Sequence, residues 1–288
     1  MSAITNYQSP RSLDEAAEIL RSGEVTILAG GTDLMPQAQS GKARLKPTLM
    51  NIRRIPDLSG IVERGGGLRI GALATITDLR ESALVRERFA ALWQAADHFA
   101  SDQIRNAATI GGNICNASPA GDTLVPLLVL DARVVLAAKP DGALTRRTVP
   151  LGEFLLGPGR TARQPGELLE AVEIPAPPPG FVSAFFKFGT RPALDISVIS
   201  IGLGAVREGK RLSGVRVGFG AVAPTPIRAA KTEAALEGRP LDAATIAAAV
   251  AAATGEVHPI SDVRASDWYR REMVGNMLGR MLDHVGNG

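Results

Sequence analysis

The chain is poor in the residues that hold metals. Its 288 residues include one cysteine, Cys115, and three histidines, His98, His258 and His284. A single thiol excludes an intrachain disulfide and any cluster held by four thiolates of this chain. The histidines lie too far apart for metal-ligand spacing. Redox chemistry, if the chain takes part in it, therefore needs an organic cofactor or a partner chain.

Charge of one sign and long apolar runs are also missing. Lys and Arg number 32 against 29 Asp and Glu, a net charge of +3. The pairs Arg53-Arg54 and Arg146-Arg147 are isolated rather than parts of a basic run, so no nucleic-acid partner is expected. No apolar stretch reaches the roughly 18 residues of a membrane span, and the alanine-rich segment 243–253 is short and flanked by charge. The N-terminus, MSAITNYQSPRSLDEAAEIL, lacks a basic segment followed by an apolar one. A soluble, cytoplasmic protein without membrane insertion is expected.

What is present is an ordinary globular balance, 45% hydrophobic and 21% charged, in a length that suits two domains. Ser12-Leu13-Asp14-Glu15 has the capping-box spacing and Gly23 the place of a helix C-terminal glycine, which predicts a helix over 13–22. Strands are expected at 24–29, 47–52 and 67–73, and helices at 77–84 and 87–99. A short strand from Ala107 should run into Gly111-Gly112, followed by a loop and then a helix at 123–130. Strands at 133–138 and 168–174 precede PAPPPG at 175–180, where repeated proline can continue neither a helix nor a central strand. The domain boundary is placed there, giving 1–176, itself split at roughly 54/55, and 180–288. Beyond it three strands are expected (182–188, 196–206 and 212–221), then helices at about 242–254 and 266–284. Strands followed by helices, without regular βαβ alternation, indicate an α+β fold.

Two glycine pairs each follow an apolar segment: Ile27-Leu28-Ala29-Gly30-Gly31-Thr32-Asp33-Leu34, and Thr109-Ile110-Gly111-Gly112-Asn113-Ile114-Cys115-Asn116-Ala117-Ser118-Pro119-Ala120-Gly121-Asp122. Glycines allow a sharp turn and a close approach of backbone N–H groups to an anion, and successive N–H groups can form a nest for it. Two such loops suit the two phosphates of a dinucleotide. A Gly-Gly pair after a strand also serves as a plain turn. Neither loop matches G-x-G-x-x-G or a P-loop, so spacing alone leaves both readings open and identifies no flavin.

AGGTDL together with TIGGNICNASPAGD resembles the paired phosphate loops of the flavin domain in the molybdenum hydroxylase (xanthine dehydrogenase and aerobic carbon monoxide dehydrogenase) family, in particular its free-standing medium subunits. The resemblance runs end to end. Phe185-Phe186-Lys187-Phe188-Gly189-Thr190-Arg191 with Asp195-Ile196 is similar to a family element, as is Asp262-Val263-Arg264-Ala265-Ser266 with Tyr269-Arg270. It implies a vanillyl-alcohol-oxidase-like FAD fold of two subdomains and a smaller C-terminal α+β domain. It also implies that Ile27, Leu28, Ala29, Gly30, Gly31, Thr32, Asp33 and Leu34 wrap the diphosphate and part of the flavin. Thr109, Gly112, Asn113, Asn116 and Ser118 would line the second loop, and Asp122 would accept from ribose hydroxyls. Phe99, Ala108 and Leu169 would supply apolar or backbone contacts, and Lys187 a charge near the flavin.

From the residues alone, Asp122 equally suits the N-cap of the helix at 123–130, and Lys187 an outward-facing charge. Phe99 and Leu169 equally suit a core, Arg191 and Asp195 a structural ion pair, and Cys115 a small buried hydrophobe. The resemblance further implies FAD in this chain, held without a covalent bond because neither loop contains histidine. Iron–sulfur clusters and molybdopterin would sit in separate partners, a small iron–sulfur subunit and a large molybdopterin subunit, as a dimer of heterotrimers. No catalytic side chain and no metal ligand are assigned. The expected function is electron transfer from the partner's clusters to an external acceptor, and the alternative is a self-sufficient flavin oxidase or reductase of the same fold.

Overall fold

The computed structural model describes residues 4–191 and 194–287. Residues 1–3 and 288, the outer ends of the two expected domains, and residues 192–193 lie outside the described part.

The first layer is small and parallel. It comprises β1 (Asn6–Gln8), α1 (Leu13–Leu20), β2 (Val25–Leu28), α2 (Leu34–Gln39) and β3 (Thr48–Asn51), with sheet order β1-β3-β2. Helix α1 starts where the sequence predicts, since Ser12 Oγ accepts from the Glu15 N–H at 3.1 Å. The returning Glu15 carboxylate accepts from the Arg11 N–H rather than from Ser12. Leu13, Ala16, Ala17 and Leu20 form its buried stripe, and Leu13, Ala16 and Leu20 pack with Met50, Ile52, Ile55 and Leu58.

A five-stranded antiparallel sheet follows, in order β4-β5-β10-β6-β7. Its elements are β4 (Ile61–Arg64), β5 (Gly67–Gly71), α3 (Ile76–Glu81), α4 (Ala83–Arg88), α5 (Ala90–Asp97), α6 (Asp102–Arg105), α7 (Ile110–Asn116), α8 (Leu124–Val129), β6 (Arg133–Ala138), β7 (Thr145–Pro150), α9 (Leu151–Phe154), the pair β8 (Leu155–Gly157) and β9 (Arg160–Thr161), and β10 (Leu168–Ile174). β10 is central, and its run of buried residues includes Glu170. That carboxylate is tolerated because Arg69 on β5 and Arg146 on β7 each reach it at 2.6 Å. Helices α3 to α8 close the largest core over this sheet.

The C-terminal part is a four-stranded antiparallel sheet, β11 (Phe181–Phe188), β12 (Ile199–Glu208), β13 (Arg211–Gly220) and β14 (Ile227–Arg228). It carries α10 (Ala230–Leu236), α11 (Ala243–Glu256) and α12 (Asp267–Asn287) over its own core. No helix among the described residues is long and apolar enough to cross a membrane.

Several local expectations need correction. The segment after Ala107 is not a strand running into a glycine loop. It makes one bridge, Thr75 to Thr109, and then enters α7 with Gly111 and Gly112 in the first turn. Glycine is a poor helix former, but a Cβ on Gly111 would lie 2.7 Å from the Ala72 carbonyl oxygen, so packing overrides propensity. The two helices expected at 77–84 and 87–99 are three, α3, α4 and α5, because Ser82 and Phe89 leave helical geometry between them. The C-terminal sheet gains the two-residue β14, and α10 precedes the two expected helices.

Candidate functional site

Both glycine segments line one cleft of about 420 Å³ between the parallel layer and the antiparallel sheet. β2 delivers the first segment, and the chain turns at Gly31, whose φ of +75° favours glycine. Gly30 lies so close to the other wall that a Cβ there would stand 1.9 Å from the Ala107 carbonyl oxygen. Among the described residues, the backbone N–H groups of Gly30 to Leu34 meet no acceptor. Five consecutive free donors on the rim of a cleft are what an anion requires.

The second segment behaves differently. The Ile110 N–H donates to the Ala74 carbonyl and the Gly111 N–H to Ala72, both at 3.0 Å. Gly112 donates to Thr109 Oγ1 at 3.0 Å, and Asn113 to the Thr109 carbonyl at 3.0 Å. These four donors are already satisfied, so they form no nest. This segment offers side chains and shape instead. Asn116 ties the two walls together, its Nδ2 donating to Asp33 Oδ2 at 3.2 Å while its Oδ1 accepts from Gln37 Nε2 at 3.2 Å. Asn113 Oδ1 accepts from the Thr123 hydroxyl at 2.7 Å. Crowding of Asp33 by the cleft raises its carboxyl above the usual aspartate range, although one side of the residue stays open to solvent.

Of the residues singled out in the sequence, the cleft brings together Ile27, Ala29, Gly30, Gly31, Thr32, Asp33, Leu34, Phe99, Ala108, Thr109, Gly112, Asn113, Asn116 and Leu169. Leu28, Ser118, Asp122 and Lys187 lie outside its lining. The Ser118 hydroxyl accepts from the Ala120 N–H, closing a local turn. Asp122 does not cap α8, whose N-cap is Thr123. Its carboxylate instead meets Lys187 Nζ at 2.6 Å and accepts from the Ser197 hydroxyl at 3.0 Å. Both members of this pair are about nine-tenths buried, and it ties the antiparallel sheet's helices to β11. Burial pushes the Asp122 carboxyl up, against the opposing pull of Lys187 and Ser197. Arg191 and Asp195 form no ion pair among the described residues. Arg191 donates to the Leu194 carbonyl, while Asp195 accepts from Thr190 and from the Ile196 N–H. Cys115 lines the cleft, and burial lifts its thiol to about 11, so it stays protonated at neutral pH.

The residues that sequence reasoning missed are Gln37 and the cations Arg44, Lys46 and Arg163. Gln37 sits on α2, which follows directly from Asp33 and gives no periodic signal over its six residues. The cations come from loops, where a single charged residue has no local signature.

Known proteins resemble this chain along most of its length. The family described as the FAD binding domain in molybdopterin dehydrogenase matches residues 3–177, and the CO dehydrogenase flavoprotein C-terminal domain matches residues 184–285. The chain is 34% identical to the xanthine dehydrogenase FAD-binding subunit of Escherichia coli O157:H7, over 98% of this chain and 96% of that one. It is 32% identical to the carbon monoxide dehydrogenase medium chain of Hydrogenophaga pseudoflava, over 96% and 95%. It also superposes on a solved carbon monoxide dehydrogenase from that organism, one lacking the Mo-pyranopterin moiety of the molybdenum cofactor. There the TM-score is 0.91 at 33% identity, covering 97% of this chain and 96% of that one.

Proposed function

The chain belongs to the FAD-binding subunits of the molybdopterin dehydrogenases, and on that premise we propose that it is the electron-transfer flavoprotein of a heteromeric molybdenum hydroxylase. It is an oxidoreductase subunit whose own cofactor is FAD. In this reading a small iron–sulfur chain supplies electrons that originate at a large molybdopterin chain, in a cytoplasmic dimer of heterotrimers. Residues 1–176 hold the cofactor in two subdomains, and residues 180–288 form the C-terminal domain.

The run of free N–H groups from Gly30 to Leu34 carries this reading. Those donors bind the diphosphate of the dinucleotide. Thr109, Gly112, Asn113 and Asn116 shape the opposite wall, and Phe99, Ala108 and Leu169 keep water from the apolar part of the cleft. The Asp122–Lys187 pair fixes the C-terminal sheet against this unit. Bound FAD supplies the means to accept electrons singly or in pairs, which matches one-electron clusters to a two-electron acceptor. Among the described residues Asp33 is the one carboxylate lining the cleft, and Asn116 already engages it, so no general base is assigned.

The test is anaerobic. The flavin-loaded chain alone should be reduced by dithionite but stay oxidised with the substrate of the assembly, and should bleach on that substrate once the partner chains are added. Rapid bleaching without partners would make the chain a self-sufficient flavin oxidase instead.

A further inference from the structure

A four-residue helix beside the cleft, α6, carries a buried arginine that lies outside the cleft lining. α5 ends at Asp97, the chain turns at Ala100, and α6 begins behind the Ser101 cap. Phe99, before the turn, and Ala108, after α6, both line the cleft. Ala100 has a φ of +35°, which an alanine seldom adopts without support. Arg105, the last residue of α6, gives that support. Its Nη1 donates to the Phe99 carbonyl at 2.5 Å and to the Ala100 carbonyl at 2.9 Å, and its Nη2 donates to Asp102. Arg105 and Phe99 are each only 9% exposed. A guanidinium at that depth is tolerated because it is bonded. Its Nε finds no acceptor among the described residues, so every side-chain bond it makes there runs to the turn or to α6.

We propose that Arg105 is a positioning residue for the cofactor: through the backbone of Phe99 and Ala100 it holds the Phe99 ring against the flavin part of the cleft and keeps water from it. The inference rests on the FAD reading above. Two successive carbonyls converge on one nitrogen of a rigid fork, which fixes both peptide planes beside Ala100. The direction in which Phe99 leaves α5 is fixed with them. Without the guanidinium, two carbonyls on a largely buried turn lose their donor, and Ala100 relaxes toward negative φ. Ala108 does not depend on this side chain. Its N–H donates to the Ile104 carbonyl at 2.7 Å, and its carbonyl accepts from the Ile76 N–H at 3.0 Å. Loss of Arg105 therefore acts on the Phe99 side of the wall and leaves the Ala108 side in place.

The experiment is a double-mutant cycle on the full chain, with FAD and ADP as probes in calorimetric titration. Arg105→Met and Phe99→Ala should each weaken FAD by about tenfold. The double variant should lose no more than either alone, because both remove the same contact. ADP has no flavin and should bind every variant as it binds the wild type. Acrylamide, an uncharged quencher, should reach the flavin more readily in both single variants and to the same extent. Arg105→Lys should lose less, since one ammonium can still serve one carbonyl, and it supplies the comparison if Arg105→Met does not fold. A double variant weakened by about a hundredfold would mean that the two residues act independently and would overturn the proposal. Equal loss of ADP and FAD would show a merely structural role and overturn it too, as would unchanged FAD affinity in Arg105→Met. Failure of the FAD reading looks different: the wild type itself would bind neither FAD nor ADP.

Discussion

The two glycine segments are near twins in sequence and opposites in use. Both place Gly-Gly after an apolar residue, and both line the same cleft. In the first, the N–H groups of Gly30 to Leu34 donate to no acceptor among the described residues. In the second, Ile110, Gly111, Gly112 and Asn113 spend their N–H groups on Ala74, Ala72 and Thr109. The glycines differ too, because Gly31 is needed for its positive φ while Gly30 and Gly111 are needed so that two backbones can touch. A glycine pair therefore states that side chains are unwelcome. Whether the reason is a ligand, a dihedral or a neighbouring backbone depends on what packs against it.

The largest expected effect is where the first segment meets the chain just before the second. Gly30→Ala puts a Cβ against the Ala107 carbonyl, a backbone atom that cannot rotate away. It should cost about 3 kcal/mol in urea unfolding and abolish FAD binding. The same change at Gly112 meets only the Thr109 hydroxyl, at 2.9 Å, and should cost much less. Equal costs at the two positions would erase the contrast drawn here.

A smaller effect is expected at Thr109→Ala. It removes the side chain that accepts from Gly112 at the start of α7, worth about 1 kcal/mol as a lost N-cap. FAD affinity should fall by no more than stability does, because the N–H groups of Ile110 to Asn113 are bonded within the chain and do not grip the anion. Calorimetric titration beside thermal unfolding decides the point, and a much larger loss of affinity would make the second segment a phosphate loop after all.

The smallest effect concerns pH at the first segment. Asp33 has its carboxyl raised from 3.8 by burial, so the folded protein holds this proton more tightly than the unfolded chain. That stabilisation is fully present below 3.8 and is lost as pH rises from there through the folded value. Asp33→Asn lacks the titration, keeps an oxygen for Asn116, and should gain on the wild type across that window in urea unfolding at successive pH values. It should also bind FAD slightly more tightly at neutral pH, since it removes the negative charge nearest the anion site. A variant whose stability tracks the wild type at every pH would mean that Asp33 is fully solvated.

The sequence by itself determined the chemistry that is excluded and the elements with strong local signals. One cysteine and three scattered histidines ruled out a thiolate cluster and any metal-ligand spacing without reference to a fold. The α1 cap, the apolar runs of β10 and β12, and the two glycine segments were legible because each rests on neighbouring residues. Tertiary structure decided the rest. Asp122 and Lys187 are 65 positions apart, and only the docking of β11 turns a suspected cap and a suspected surface charge into a buried pair. Gly111 stands in the first turn of a helix where Ala72 leaves no room for a side chain, which no helix propensity anticipates. Arg44 and Arg163 line one cleft from loops of different units. Hydrogen-bond satisfaction and charge proximity depend on distance in space, and for these residues the fold alone sets that distance.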